Sequence, residues 1–286
     1  DLTPPAVSLT LASSKLSNGY QHTLMIRSNG SLWAWGYNGY GQLGNGTTTT
    51  TNYPVQVGSG TNWSYVSSGY YHNAAIKSDG TLWAWGYNGY GQLGDGTTTN
   101  RSTPVQVGSG NTWVKVECGI FHTVALKSDG SLWAWGYNFN GQLGDGTGTN
   151  RATPVQIYSF TGWTDITAGG YHTIGVKGDG SVWSWGYNGY GQLGDGTTTD
   201  RSTPGLITAF SGVTMAAIDA GFNHSAAVLS DGTVRTWGYN GYGQLGDGTT
   251  TNRYTPVAMT GISTAVKIAC GDIHTVVLLS DGTIRS

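Results

Sequence analysis

The sequence predicts an all-β fold, a β-propeller of four-stranded antiparallel blades, and three repeated markers carry this prediction. A Gly-Tyr-Asn tripeptide recurs at spacings of 50, 50, 50 and 52 residues, beginning at Gly36, Gly86, Gly136, Gly186 and Gly238. A Gly-x-x-His tetrapeptide occurs six times, and a proline precedes a short apolar segment at positions 54, 104, 154, 204 and 256. A supersecondary unit repeated with a period of about 50 residues is typical of propellers.

Each repeat contains four predicted strands and no helical pattern. In the third repeat, WVKVECG at 113–119 alternates as a strand does and ends in small residues. HTVALKSDGSLWAWG at 122–136 predicts a hairpin, because the glycine of its Ser-Asp-Gly turn supplies the positive φ that such turns need. A segment of the type TPVQV (103–107) predicts the fourth strand, with proline at its start, and a long Gly-rich loop precedes it.

The motif LWAWG predicts how neighbouring blades pack. Its two tryptophans lie two positions apart and share one face of the strand, whereas Leu and Ala share the other face. One face is therefore bulky and the other small, so that each blade can seat its rings on the small face of its neighbour. The first strand of each repeat carries small residues, as expected where six strands crowd a central axis.

Six Gly-x-x-His markers predict six blades in a single domain spanning residues 1–286, with seven blades, or a fragment of a longer propeller, as the alternatives. Pro4 precedes Gly19 by the same fifteen residues that separate Pro54 from Gly69. The segment TPPAV at 3–7 is therefore predicted to be the outer strand of the last blade, which would clasp the ring shut.

Composition excludes some functional classes and favours an exported protein. The formal net charge is −2, charged residues make up 10% of the chain, and no stripe of Lys and Arg is present, which argues against nucleic-acid binding. No apolar run approaches the roughly 20 residues that span a bilayer, so no membrane insertion is expected. The chain begins at Asp1 without a signal peptide, which is typical of a processed or excerpted segment. Low charge with abundant Thr, Ser, Gly and Asn favours an extracellular or cell-surface location.

The repeats GYYHNAAIKSDGTLWAWGYNGYGQLGDGT (69–97) and GIFHTVALKSDGSLWAWGYNFNGQLGDGT (119–147) resemble those of the regulator of chromosome condensation family. The family motif, G-x-x-H-[ST]-x-A-L followed by [VL]-x-x-W-G-x-N-x-x-G-Q-L-G, recurs five times with both halves and once with its first half alone. The resemblance covers nearly the whole chain and implies a propeller, here expected to be a bacterial member.

The resemblance implies several different roles. The founding member is a nucleotide exchange factor for a small GTPase and also binds nucleosomes, a secreted bacterial relative inhibits β-lactamases through one propeller face, and many bacterial copies lie in surface proteins. This chain has neither a basic N-terminal tail nor an insertion large enough to act as an exchange wedge. We therefore expect a non-catalytic protein-interaction scaffold, with a carbohydrate-binding module as the alternative and an exchange factor or enzyme inhibitor ranked behind both.

The loop tyrosines are the candidate contacts for a protein partner or a sugar. They occupy a variable position of the family motif, at Tyr40, Tyr90, Tyr190 and Tyr242. The third repeat has Asn140 at that position, following Phe139, so Phe139 completes the candidate set. Tyrosines of this kind bury against protein partners or stack on sugar rings.

All histidines of the chain occupy the same repeat position, at His22, His72, His122, His172, His224 and His274. A feature present in every blade indicates a structural role, so each histidine is expected to bond between the first two strands of its own blade. No acidic residue recurs beside them at ligand spacing, and no phosphate-binding loop or nucleophile with a base is present. We therefore expect no metal, no cofactor and no catalytic residues.

Acidic and basic residues recur together in the Gly-rich loops, with Arg six positions after Asp. The pairs are Asp95 and Arg101, Asp145 and Arg151, Asp195 and Arg201, and Asp247 and Arg253. In the first loop, Asn45 and Thr51 stand at these positions, so both charges are lost together. The pattern indicates an ion pair that closes each loop, or charge-assisted bonds to nearby backbone. Independent drift in one divergent repeat is the alternative explanation.

Overall fold

The computed structural model describes residues 15–157 and 162–286 and shows a six-bladed β-propeller, which confirms the predicted fold class. Twenty-three strands form six antiparallel sheets, and one short 3₁₀ helix is present in the described part of the chain. In those residues no helix is long and apolar enough to cross a membrane.

The blades follow one another along the chain, each running from an inner strand to an outer one. Blade 1 contains β1 (Leu16–Asn18), β2 (His22–Ile26), β3 (Leu32–Gly36) and β4 (Thr51–Gln56). Blade 2 contains β5 (Trp63–Ser68), β6 (His72–Lys77), β7 (Leu82–Gly86) and β8 (Arg101–Gln106). Blade 3 contains β9 (Trp113–Cys118), β10 (His122–Lys127), β11 (Leu132–Gly136) and β12 (Arg151–Gln156).

The second half of the ring repeats this plan. Blade 4 contains β13 (Trp163–Ala168), β14 (His172–Lys177), β15 (Val182–Gly186) and β16 (Arg201–Leu206). The 3₁₀ helix α1 (Thr208–Phe210) follows, in the repeat whose spacing is 52 residues and not 50. Blade 5 contains β17 (Met215–Ala220), β18 (His224–Leu229), β19 (Val234–Gly238) and β20 (Arg253–Ala258). Blade 6 contains β21 (Ala265–Cys270), β22 (Thr275–Leu279) and β23 (Ile284–Arg285).

The hairpin between the second and third strands has the geometry that its Asp-Gly turn demands. In blade 3 the glycine of this turn, Gly130, has φ +75°, and Asp129 Oδ1 accepts a 2.9 Å hydrogen bond from the backbone N–H of Ser131. The turn sets the register in which His122 lies opposite Gly136. Blade 6 has three strands in the described residues, and the segment 3–7 that we predict as its fourth strand lies outside them.

The interfaces between successive blades confirm the predicted packing of rings on a small face. Leu24 and Leu32 of blade 1 belong to one buried cluster with Trp63 and Trp85 of blade 2. The same arrangement joins blades 2 and 3 and blades 3 and 4. The inner-strand ring, such as Trp63, is an addition that the LWAWG motif did not predict. Between blades 4 and 5 this ring comes from α1, whose Phe210 lies 5.4 Å from Trp237 between ring centroids.

At the seam between blades 6 and 1, the facing sides of these two blades are not covered by a neighbouring blade in the described residues. Trp35 of blade 1 is partly exposed, whereas its four equivalents in blades 2 to 5 are 0% exposed. On blade 6, Val276 and Leu278 are partly exposed and Ile284 is exposed, at positions that are buried in blade 1. Among the described residues, a tryptophan face of blade 1 and an aliphatic face of blade 6 therefore border this seam without covering each other.

Candidate functional site: an aromatic face with a central depression

The histidines connect neighbouring blades, so the expectation that each bonds within its own blade is wrong. Each of five Nε2 atoms lies within hydrogen-bond distance of the first or second residue of the next blade's second strand. The distances are 2.7 Å for His22 to Asn73, 3.0 Å for His72 to Thr123, 3.1 Å for His122 to Thr173, 2.8 Å for His172 to Ser225 and 2.9 Å for His224 to Thr275.

The bond crosses the interface because the ring projects sideways over the glycine of its own motif. A Cβ on Gly119 would lie 2.2 Å from Cε1 of His122 and 2.6 Å from the Gly169 carbonyl of the next blade. Only glycine leaves room for both the ring and the neighbouring backbone. The glycine and histidine of Gly-x-x-His are therefore both required by a contact between blades.

The protonation state of these histidines follows from their partners and their burial. Thr123 Oγ1 donates to the Gln92 carbonyl at 2.9 Å, so its oxygen accepts the Nε2 hydrogen of His72. Burial lowers the pKa of His72, His122 and His172 to about 3 and that of His22 and His224 to about 4. The sixth member, His274, is exposed in blade 6.

The structure brings the Asp and Arg of all four loop pairs together. The shortest distances are 2.7 Å for Asp95 to Arg101, 2.8 Å for Asp145 to Arg151, 3.4 Å for Asp195 to Arg201 and 2.6 Å for Asp247 to Arg253. Asp145 Oδ1 also accepts from the backbone N–H and hydroxyl of Thr147 at 3.0 and 2.7 Å. Burial opposes ionisation of Asp145, but the bonds from Thr147 and Arg151 outweigh it and lower the pKa of the carboxyl.

We expect the ion pair to stabilise the loop in addition to the turn. We expect a double-mutant cycle with Asp145→Asn and Arg151→Gln to give a coupling energy of about 0.5–1 kcal/mol in urea unfolding, because the guanidinium is partly solvated. Asparagine is a matched replacement, since Asn45 keeps the turn in blade 1 by accepting from the backbone of Thr47 at 3.1 Å. A coupling energy of zero would contradict the loop-closing role and favour independent sequence drift in the first repeat.

The loop tyrosines lie on one face of the disc and reach across to the next blade. The ring centroid of Tyr40 is 5.1 Å from Tyr71 and 5.0 Å from Tyr87. Tyr90 is 5.0 Å from Tyr137, and Tyr190 is 4.9 Å from Tyr239. These three tyrosines are partly buried between blades, so only part of each ring surface is available to a partner.

The remaining candidates are the most exposed rings of this face. Tyr242 is 69% exposed and Phe139 is 79% exposed. Asn140, which replaces the loop tyrosine in blade 3, donates from Nδ2 to Asp200 Oδ2 of blade 4 at 3.0 Å. Blade 3 therefore contacts blade 4 here through a polar hydrogen bond and not through an aromatic ring, and Phe139 projects from the surface.

The prediction from sequence did not include a second group of aromatic rings on the same face. It occupies the variable positions inside Gly-x-x-His and comprises Tyr20, Tyr70, Tyr71, Phe121, Tyr171 and Phe222. Tyr20 and Tyr70 stack with centroids 4.1 Å apart at an interplanar angle of 12°, and Tyr70 meets Phe121 at 6.0 Å. The recurrence of aromatic residues at these variable positions could have identified this group from the sequence. We call the loop tyrosines, Phe139, the Gly-Tyr-Asn tyrosines and this group the aromatic face.

The aromatic face surrounds a depression at the central axis with a volume of about 480 Å³. The depression is lined by the carboxyl ends of the inner strands and by the residues that follow them. Its floor consists of small residues, and its rim carries Tyr20, Tyr70, Ile120, Phe222, Asp272 and His274. Side chains from all six blades therefore converge on one site.

A network of polar side chains joins the inner strands of neighbouring blades around the axis. Glu117 accepts from the hydroxyl of Tyr65 at 2.5 Å and lies 3.5 Å from Lys115, which also pairs with Asp165. Burial raises the pKa of Asp219 to about 6, although the backbone N–H of Cys270 donates to its Oδ2 at 2.7 Å. Asp219 Oδ1 also accepts from the hydroxyl of Thr167 in blade 4 at 3.1 Å, so these contacts link the inner strands of blades 2 to 6. In the described residues no group of three or more His, Cys, Asp and Glu side chains is placed to hold a metal ion.

The chain matches the model of the RCC1-like domain over residues 2–277. It belongs to the RCC1-like domain family. Among solved structures, this RCC1-like propeller is similar to human WBSCR16, with a TM-score of 0.83 and 26% identity over 96% of this chain and 75% of that one. It is also similar to yeast RCC1 (Prp20) in complex with Kap60, with a TM-score of 0.85 and 21% identity over 94% of this chain and 68% of that one.

Shorter matches reach curated proteins of quite different size. The chain is 40% identical over 70 residues to the E3 ubiquitin-protein ligase MYCBP2 of Danio rerio, which is 23% of this chain and 2% of the relative. It is 36% identical over 74 residues to the ultraviolet-B receptor UVR8 of Arabidopsis thaliana, which is 25% of this chain and 17% of the relative. Both matches therefore span far less than two thirds of the relative's length.

Proposed function

We propose that this RCC1-like propeller is a non-catalytic scaffold that binds a protein partner through its aromatic face. One observation carries the proposal: the face holds a nearly continuous layer of rings whose most exposed members are Phe139 and Tyr242. Tyrosine and phenylalanine are enriched at the centres of protein interfaces, and large exposed apolar patches mark interaction sites.

The rigidity of the layer supports the same role. Tyr40, Tyr90 and Tyr190 are held by edge-to-face or tilted contacts with the next blade. A ring that is already fixed loses little conformational freedom when a partner covers it, so less of the contact energy is lost on binding. The face thus offers preorganised contact area on a stable disc.

Structural relatives also support a protein partner. Yeast RCC1 has been solved with Kap60, and a further study of Prp20p describes its binding to Gsp1p and histones. At 21% and 20% identity these structures share only the fold with this chain. They support protein binding as a use of the fold.

We propose an extracellular or cell-surface location for this scaffold. Low charge and abundant Thr, Ser, Gly and Asn support it. Fractionation of the cells that produce the protein tests this: recovery from the medium or the surface fraction is expected, and recovery from the cytosol alone would overturn the location without affecting the binding proposal.

Site-directed photo-crosslinking tests the aromatic face. With p-benzoyl-phenylalanine at Phe139 or at Tyr242, we expect the same protein to be captured, because both rings are exposed on that face. The matched control is Tyr53, which is 63% exposed on the outer strand β4 and should capture none of it. Equal capture at all three positions would overturn the assignment of the face. Capture of glycans alone, on a glycan array, would favour the carbohydrate-binding alternative.

A further inference from the structure

We propose that the central depression of the aromatic face receives an arginine side chain of the partner, with its guanidinium over Tyr20 and Tyr70 and paired with Asp272. This inference rests on the proposed protein-binding role and specifies the partner's chemistry. It is carried by three features of the described residues: an exposed stacked ring pair, a carboxylate without an ion pair, and the absence of any unpaired Lys or Arg on the aromatic face.

The ring pair offers a planar surface to solvent. Tyr20 is 49% exposed and stacks on Tyr70, and its backbone N–H donates to the Tyr70 carbonyl at 3.3 Å. The faces of aromatic rings carry negative potential and attract cations within about 6 Å. A guanidinium is planar and weakly hydrated, so it stacks on such a surface better than an ammonium does.

The carboxylate stands beside these rings. Asp272 occupies in blade 6 the repeat position that holds Tyr20 and Tyr70 in blades 1 and 2, and all three line the depression. Asp272 is exposed, and it makes no ion pair with any residue that the structure describes.

The other charges of the aromatic face do not neutralise Asp272. The four arginines of the face are each paired with the aspartate of their own loop. Asp200 is a second acid without an ion pair, and its Oδ1 accepts from the Asn188 backbone at 2.8 Å. The lysines at the ends of the second strands lie on the opposite face, where Lys77 and Lys127 cover Trp83 and Trp133 at 3.9 and 4.2 Å. The described aromatic face is therefore negative.

The walls of the depression suit the aliphatic part of the same side chain. Ile120 and Phe222 form apolar sides, and blade 4 places Gly170 where neighbouring blades carry larger residues. The volume of about 480 Å³ admits the three methylenes of arginine together with its guanidinium. Aromatic, apolar and anionic contacts are thus provided for one cationic side chain.

A peptide pair that differs only in charge tests the proposal with the intact protein. We expect the acetylated, amidated peptide Gly-Ser-Arg-Ser-Gly to bind about tenfold more tightly than the same peptide with citrulline in place of arginine, as followed by NMR titration. Citrulline keeps the shape of the side chain and removes its charge. Equal binding of the two peptides would overturn the proposal.

Substitutions in the protein locate the site. Asp272→Asn should weaken arginine-peptide binding about fivefold and leave citrulline-peptide binding unchanged, and Tyr20→Leu should weaken arginine-peptide binding by a similar factor. The matched controls are Tyr53→Leu on the outer strand and Asp231→Asn in an exposed turn, and neither should change the affinity. Loss of arginine selectivity in a control variant, or its retention in Asp272→Asn, would contradict the assignment.

This result and the crosslinking result can fail separately. If Phe139 and Tyr242 capture a partner while the two peptides bind equally, the scaffold role stands and the arginine site is wrong. If the arginine peptide binds in an Asp272-dependent manner while no partner is captured, the site stands and the proposed protein-binding role of the surrounding face is wrong.

Discussion

Acidification from pH 7 to pH 5 is expected to lower the free energy of unfolding by several kcal/mol, enough to unfold a domain of ordinary stability. The buried histidines between blades cause this effect. Their pKa values of about 3 to 4 in the folded protein lie well below the value of about 6.5 in an unfolded chain. Their stabilising effect is fully present above pH 6.5 and is lost progressively as the pH falls towards 4.

The size of the effect follows from proton uptake. Below pH 6.5 the unfolded chain binds protons at histidines that remain neutral in the folded state, so the stability falls by up to about 1.4 kcal/mol per pH unit for each. Five such histidines together approach about 7 kcal/mol per pH unit, which is comparable with the whole stability of many domains. Asp219, with its pKa raised to about 6, acts in the opposite direction but contributes a single proton.

Urea unfolding followed by tryptophan fluorescence at pH 7.5, 6.5, 5.5 and 5.0 measures this dependence. His122→Gln is the matched variant, because a glutamine amide can still donate to the Thr173 hydroxyl but does not titrate. Its pH dependence should be shallower than that of the unsubstituted protein by about one proton in the acidic range. Stability that stays constant between pH 7 and pH 5 would show that these histidines are not buried neutral groups.

The second large effect is expected for the tryptophan face. Trp135→Ala should destabilise the protein by about 3–5 kcal/mol, because it removes a large ring from a closed interface and leaves a cavity. Trp135 is 0% exposed and packs between blades 2 and 3. Its Nε1 also donates to the Gln92 carbonyl at 2.9 Å, so the substitution removes a buried hydrogen bond.

Trp35→Ala is the matched control because Trp35 occupies the same motif position in blade 1. Among the described residues it is partly exposed at the seam with blade 6, so the expected loss is about 1–2 kcal/mol, smaller than for Trp135 in proportion to the buried area. Chemical denaturation of both variants at pH 7.5 measures the difference. Equal losses would mean that the tryptophan face of blade 1 is covered in solution and that the seam is closed.

Much of the fold was predictable because local chemistry repeats in every blade. Alternating apolar residues and the Asp-Gly turn predicted the first three strands of blade 3 at nearly their observed bounds, whereas the fourth strands begin earlier than predicted and hold the proline as their fourth residue. The pairing of Asp145 with Arg151 was also visible, because the two residues lie six positions apart in one loop. Each of these features depends on residues that are near one another in sequence.

Features that depend on the next blade were not predictable in the same way. The direction of the His122 bond, the use of Phe210 as an interface ring and the stacking of Tyr20 on Tyr70 all join residues that are distant in sequence or lie in irregular segments. Their positions follow from how two sheets meet, and the periodicity of one strand carries no information about that angle. The depression with Asp272 on its rim likewise exists only when all six blades are placed around the axis.

By itself, the sequence determined the blade as a unit: its four strands, its turns and the bulky and small faces that make blades stack. These follow from side-chain periodicity and from backbone geometry within about 50 residues. Only the tertiary structure decided which surfaces remain exposed after stacking. Placing the blades around a common axis brings rings and charges from different repeats together on one face, and it leaves the outer faces of blades 1 and 6 uncovered in the described residues.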